Sequence, residues 1–219
     1  MFLSYNYLTL AAMGTCQMCA EKSKTTLRLR VDEIKPSTCK NLIVVLENPH
    51  DWKNIGTVIR NVNALGAEKV YVVDRLGKLP ENWQKMRENK TLFKKSASAV
   101  KWSFVKRFDD AEACSDHLER TGFKSVVTSP HVKGKHHVSL ATGDFTKYKK
   151  LAVWFGNEVS GVSDFAVEHS EMCVSIPMYG MIEIESLNLA TSTGIVLYEV
   201  TKQRRAFQTS KRAKLHEQA

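Results

Sequence analysis

The chain has 219 residues, 43% of them hydrophobic and 25% charged, which is enough to bury a core and excludes a wholly disordered protein. Lys and Arg number 32 against 23 Asp and Glu, a net charge of +9 with a pI near 9.3, so the expected partners are polyanions such as nucleic acid or an anionic surface. No apolar run is long enough to cross a bilayer, and the five scattered cysteines fit a reducing cytoplasm better than a disulfide framework.

The opening stretch, residues 2–19, is mildly apolar but follows no basic residue, so it reads as a poorly ordered leader and not as a cleaved secretory signal. Cys16 and Cys19 form a close pair with no further ligands at finger spacing, so free thiols are expected and no metal. Residues 1–40 are taken as an N-terminal extension. From residue 42 short apolar runs alternate with helical spacing. Residues 42–46 (LIVVL) are too short for a stable helix and rich in branched side chains, which predicts a buried strand. Ile55, Val58, Ile59, Val62 and Leu65 recur at helical spacing up to Gly66, with Asn54 as the expected N-cap. Residues 69–74 (KVYVVD) are the second strand. A polar, basic region follows over 75–107, with a weak strand at 102–105, and residues 109–120 form an amphipathic helix before Gly122. Residues 125–128, 151–155 and 172–176 predict three more strands, and residues 187–205 the longest helix. Such alternation predicts an α/β domain over residues 41–200 with a mainly parallel sheet, followed by a basic C-terminal tail at 201–219.

Open sheets of this kind bind ligands where loops leave the carboxyl ends of strands. Neither a glycine-rich dinucleotide fingerprint, nor a phosphate loop, nor a GxSxG elbow occurs, which argues against nicotinamide, flavin and P-loop chemistry and against an α/β-hydrolase nucleophile. Three other segments follow strands: ENPHDWKNIGTVIR with Asn54 and Arg60, FGNEVSGVS with Glu158 and Ser163, and IPMYGMIEIESLNLA with Ser186 and Asn188. Taken singly, each has a plain structural reading: a capped helix with a salt-bridged arginine, a tight strand-to-helix turn with Ser163 as cap, and an asparagine at a helix start.

Together, in this order, the three segments resemble the motifs of the SPOUT class of RNA methyltransferases, in particular the SpoU/TrmH family of ribose 2′-O-methyltransferases. An Asn precedes an Arg by six positions in the first (Asn54, Arg60), Glu158 is the acidic residue of the second, and Ser186-Leu187-Asn188 is the Ser-Leu-Asn of the third. SASAVKW at 96–102 is similar to a connecting segment of the tRNA guanosine members. The likeness covers roughly residues 41–200. Two departures stand out. Five residues separate Gly180 from Ser186 where the family pattern has three, and no long amphipathic helix flanks the domain on its N-terminal side.

The resemblance implies a C-terminal deep trefoil knot over residues 125–190, S-adenosylmethionine as methyl donor, and a homodimer that completes the site across its interface. It assigns the cofactor to Ser129, Gly156, Asn157, Glu158, Ile176, Met178, Ser186, Leu187 and Asn188. It gives the catalytic part to Arg60, aided by Asn54, Glu158, Ser186 and Asn188. An arginine stays protonated near neutral pH, so Arg60 is expected to hold substrate phosphate and orient the hydroxyl. The long last helix is one candidate for the interface, ordinary core packing being its other reading.

Charge placement supports an RNA partner. Residues 85–107 hold eight basic side chains against Glu88 alone, interleaved with Trp83, Phe93, Trp102 and Phe104, and residues 201–219 hold six against Glu217. Lys94, Lys95, Lys101, Arg204 and Arg205 are the expected RNA contacts, with a solvated basic face as the alternative. The substrate favoured is tRNA over rRNA. An inactive knotted RNA-binding protein and a methyltransferase acting on a base or on protein are the competing readings.

Overall fold

A computed structural model describes residues 38–80, 83–134, 136–180 and 186–217. The expected leader, the Cys16–Cys19 pair and the lengthened stretch after Gly180 fall outside these residues.

Seven strands make one sheet, paired in parallel throughout: β1 (Cys39–Glu47), β2 (Ala67–Val73), β3 (Phe104–Phe108), β4 (Lys124–Thr128), β5 (His137–Ser139), β6 (Leu151–Phe155) and β7 (Met172–Ser175). Their spatial order is β3-β2-β1-β6-β4-β7-β5. The helices are α1 (Trp52–Leu65), α2 (Trp83–Glu88), α3 (Lys90–Lys95), α4 (Ala111–Arg120), α5 (Asp164–Glu168) and α6 (Leu189–Glu217).

Alternation along β1 explains the layering, because successive side chains of a strand leave on opposite faces. Leu42, Val44 and Leu46 pack with Ile55, Val58, Ile59 and Val62 of α1 and with Val196, Leu197 and Val200 of α6. Ile43 and Val45 meet Cys114 and Leu118 of α4 and Ala166 of α5 on the other face. Each Val, Leu or Ile among them, fully withdrawn from water, contributes roughly 1.5–3 kcal/mol. Glycine serves one of these contacts directly. A Cβ on Gly56 would sit 2.8 Å from Cβ of Lys95 and 3.3 Å from the Leu92 carbonyl, so only glycine lets α3 close onto α1.

Several elements differ from the sequence expectation. The cap of α1 is Asp51, whose carboxylate accepts the Lys53 N–H at 2.8 Å; Asn54 lies within the helix. Asp51 and Asn54 are both good caps in the same turn, and the earlier one takes the helix start. Gly66 does end α1, in the left-handed region at φ 76°. The weak strand sits two residues later, at β3, and Asp110 caps α4. Strand β5, three residues of a polar stretch, gives no hydrophobic signal. Two short helices occupy the basic region. The last helix starts at Leu189 and runs to Glu217, so the expected tail is a continuation of α6. Its Lys, Arg, Gln and Ala residues are good helix formers, and charge alone hid that. Among the described residues no helix is long and apolar enough to cross a membrane.

Candidate active site at the carboxyl ends of the strands

Strands β6, β4 and β7 are neighbours, and their carboxyl ends open onto a cavity of about 440 Å³. Thr128, Phe155 and Val174 form its floor, and the loops that follow the three strands form its walls. All the residues that the resemblance assigns to a cofactor line it: Ser129, Gly156, Asn157, Glu158, Ile176, Met178, Ser186, Leu187 and Asn188. Its volume is within the range of small-molecule sites.

The loop after β6 is built on itself. A Cβ on Gly156 would fall 1.8 Å from the Gly161 carbonyl carbon, so glycine is needed there for the loop to cross its own backbone. Asn157 and Gly161 exchange backbone hydrogen bonds at 3.1 and 3.2 Å. The Asn157 side-chain oxygen Oδ1 accepts the N–H groups of Val159 at 2.8 Å and Ser160 at 2.7 Å, which commits that side chain to the turn. Ser163 caps α5 as expected, and its own N–H goes to the buried carboxylate of Glu47 at 2.9 Å.

This loop presents Glu158 to the two other segments. The Asn54 amide donates to Glu158 Oε1 at 2.6 Å, and the Asn188 amide donates to Asn54 Oδ1 at 3.1 Å. Asn188 in turn accepts the Ala190 N–H at 2.9 Å and so caps α6. One side chain from each motif therefore joins a single hydrogen-bonded chain. His50 extends it: its backbone N–H donates to Glu158 Oε2 at 3.3 Å, and its Nδ1 stands 3.7 Å from the same oxygen. Burial works against the Glu158 charge, but the bonds from Asn54, from its own backbone and from His50 outweigh it and hold the carboxyl below its ordinary range.

Arg60 is exposed, lines neither this cavity nor the groove beside it, and has no hydrogen-bond or ion-pair partner among the described residues. The salt bridge of its plain structural reading does not form. Lys94, Lys95 and Lys101 are exposed, the last with Nζ 4.9 Å above the Phe93 ring. Arg204 overturns its expectation. Only 6% exposed, it donates to the carbonyls of Phe145, Tyr148, Lys149 and Asn41, which ties α6 to the start of β1 and to the chain before β6. Arg205 donates to the Leu65 carbonyl at 3.3 Å, at the end of α1.

The sequence reading missed Glu47, His50, Lys53, His131 and Lys133. The last two line the cavity and, with Glu158, are its only charged or titratable lining residues among the described residues. His50 and Lys53 sit inside the quoted first segment, and their proximity to Asn54 was the available signal. Among the described residues no group of three or more His, Cys, Asp or Glu is placed to hold a metal.

A family model described as the SpoU rRNA Methylase family matches residues 41–198. A tRNA (guanosine(18)-2′-O)-methyltransferase of Aquifex aeolicus is 32% identical over 175 residues, 80% of this chain and 75% of its own. One from Thermus thermophilus is 28% identical over 177 residues, 81% and 82% of the two chains. Among solved structures, a TrmH/SpoU tRNA modifying enzyme of A. aeolicus superposes with a TM-score of 0.67 at 28% identity, covering 83% of this chain and 86% of that one. A SpoU methyltransferase, AviRb, from Streptomyces viridochromogenes in complex with AdoMet gives 0.61 at 26% identity, covering 76% and 62%.

Proposed function

Because this chain belongs to the SpoU methylase family, which it matches over residues 41–198, we infer that it is an S-adenosylmethionine-dependent RNA ribose 2′-O-methyltransferase with a tRNA as its acceptor. The observation that carries the reading is the Asn188–Asn54–Glu158 chain at the edge of the cavity, which joins three segments separated by 104 and 134 positions. The names of the relatives make guanosine 18 of tRNA the first position to test.

The residues of the cavity suit the cofactor. Ile176, Met178, Leu187 and Leu189 offer apolar surface for an adenine face, and His131, Lys133 and Glu158 offer both signs of charge for an amino-acid moiety. When bound, the cofactor supplies an electrophilic methyl on a sulfonium. The chain has to hold a ribose hydroxyl in line with it and stabilise the oxygen as its proton leaves. Glu158, kept ionised, fixes the Asn54 amide, and Asn54 fixes Asn188, so these groups are oriented before substrate arrives. Arg60 binds a phosphate of the RNA backbone beside the acceptor nucleotide and helps orient the hydroxyl. Ser186 stands in the same wall.

A homodimer is part of the proposal. Arg60 lines neither the cavity nor the groove, and Tyr198 on α6 is 60% exposed, which supports a second copy seated against this side. A trefoil knot over residues 125–190 is also proposed. It is supported by the order β6-β4-β7-β5, which makes the chain double back across β4, and by the likeness to the A. aeolicus structure. The cytoplasm is the proposed compartment, in keeping with the free thiols of Cys39, Cys114 and Cys173.

The test is transfer of tritiated methyl from S-adenosylmethionine to unmodified tRNA and rRNA, with nucleoside mapping and light scattering. The expected product is a 2′-O-methylnucleoside in tRNA, made by a dimer. Arg60→Ala is expected to lower transfer by at least about a hundredfold with cofactor affinity and melting temperature retained. Label in a base, transfer by a monomer, or full activity in the variant would overturn the corresponding part.

A further inference from the structure

Resting on the methyl-transfer reading, we propose that the shallow groove between α1, α3 and the start of α6 is the seat of the acceptor nucleotide's phosphodiester, gripped by Lys53 and Lys95. The groove has a volume of about 480 Å³, and its lining includes Lys53, Asn54, Thr57, Asn61, Lys95 and Asn188. Among the described residues no acidic side chain lines it. Both lysines are exposed, and neither ammonium has a hydrogen-bond or ion-pair partner among the described residues. The neutral groups around them are held in place. Thr57 donates to the Lys53 carbonyl at 2.8 Å, and the Asn61 amide donates to the Ala190 carbonyl at 2.8 Å. Two unneutralised cations over fixed amide and hydroxyl groups, beside the positive end of a 29-residue helix, recognise a phosphate.

The position of the groove relates this site to the chemistry. Asn188 lines both the groove and the cofactor cavity, and its bond to Asn54 is the partition between them. In a ribonucleotide the 2′-oxygen and the 3′-phosphate hang on adjacent ring carbons. A phosphate held on the groove side therefore leaves its 2′-oxygen at the partition, facing the methyl donor.

Two local costs support a built site. Gly56 sacrifices a side chain so that α3 can close on α1 with Lys95 at the contact, since a Cβ there would meet that of Lys95 at 2.8 Å. Directly after α3, Ala97 and Ser98 take positive φ of 48° and 67°, a strained reversal for residues with side chains. Both features fix where the root of Lys95 lies.

The experiment uses the full chain with Lys53→Ala, Lys95→Ala and the double variant. Unmodified tRNA binding is measured over a potassium chloride series at saturating S-adenosylhomocysteine, alongside affinity for S-adenosylhomocysteine itself and the mass in solution. The double variant is expected to bind tRNA roughly tenfold more weakly, with the slope of log K against log salt reduced by about 1, and with cofactor affinity and mass unchanged. Lys95→Arg is expected to restore most of the loss of Lys95→Ala. Unchanged tRNA affinity and slope would overturn the proposal. A loss that accompanies a change in mass would also overturn it, making the groove a contact between copies. If the wild-type chain transfers methyl but the lysine variants bind like it, the groove alone falls; if the wild type transfers none, the enzymatic reading falls instead.

Discussion

Lys94 and Arg204 read alike in the sequence, each inside a stretch crowded with basic residues, yet the fold treats them oppositely. Around Lys94 the ammonium groups stand in solvent: Lys94, Lys95 and Lys101 are exposed, and Trp102 and Phe104 beside them are 39% and 52% exposed. Around Arg204 the guanidinium is withdrawn and shared among four backbone carbonyls. The difference lies in what the neighbouring backbone lacks. Three of those carbonyls, of Phe145, Tyr148 and Lys149, belong to irregular chain before β6, and arginine is the side chain whose planar set of donors can satisfy several at once. The basic segment at 94–101 folds into short helical turns that satisfy their own carbonyls, so its cations remain available to a polyanion.

The largest effect is expected from breaking the buried side of this contrast. Arg204→Ala removes the donors that four carbonyls share and is expected to cost about 3–5 kcal/mol in chemical denaturation, with Arg204→Lys recovering little of it because an ammonium cannot span that set. Retention of stability in the alanine variant would place Arg204 with the exposed cations. A smaller effect, on binding and not on folding, is expected for Lys94→Ala with Lys101→Ala: a loss of a few-fold in tRNA affinity, a shallower salt dependence, and a melting temperature close to that of the wild type. The smallest effect belongs to the turn between the lysines. Ala97→Gly relieves a positive φ and is expected to stabilise the chain by about 0.5–1 kcal/mol, read from the urea midpoint, since the relief exceeds the entropy glycine adds to the unfolded chain.

The sheet was legible in the sequence wherever strands are buried on both faces. LIVVL and LAVWF announce themselves by unbroken apolar character, and they are the central strands β1 and β6. What stayed hidden was decided by contacts distant in sequence or by choices between equivalent residues. Asp51 and Asn54 are interchangeable caps on paper, and only the position of Glu158, 104 residues away, shows that Asn54 has other work. Gly156 reads as part of a tight strand-to-helix turn, but nothing in that reading shows that the backbone it must clear is the loop's own at Gly161. Lys53 and Lys95 belong to different segments, and nothing in either predicts that a missing side chain at Gly56 brings them to one groove. Arg60, by contrast, keeps the freedom that its motif position implied. It lies seven positions beyond Lys53, on nearly the same stripe of α1 and about 10 Å along the axis.

The bond between Asn188 and Asn54 forms a partition only one side chain thick. An occupant that turns either amide alters the surface its neighbour sees, so the two sides are thermodynamically linked. By reciprocity, whatever factor the cofactor imposes on the affinity for RNA, RNA imposes on the affinity for the cofactor. The same contact caps α6, so a disturbance at the partition reaches the start of the helix that Arg204 anchors further along. A pair of asparagines is thus the point of contact between the two sides, without either contributing a charge or a proton.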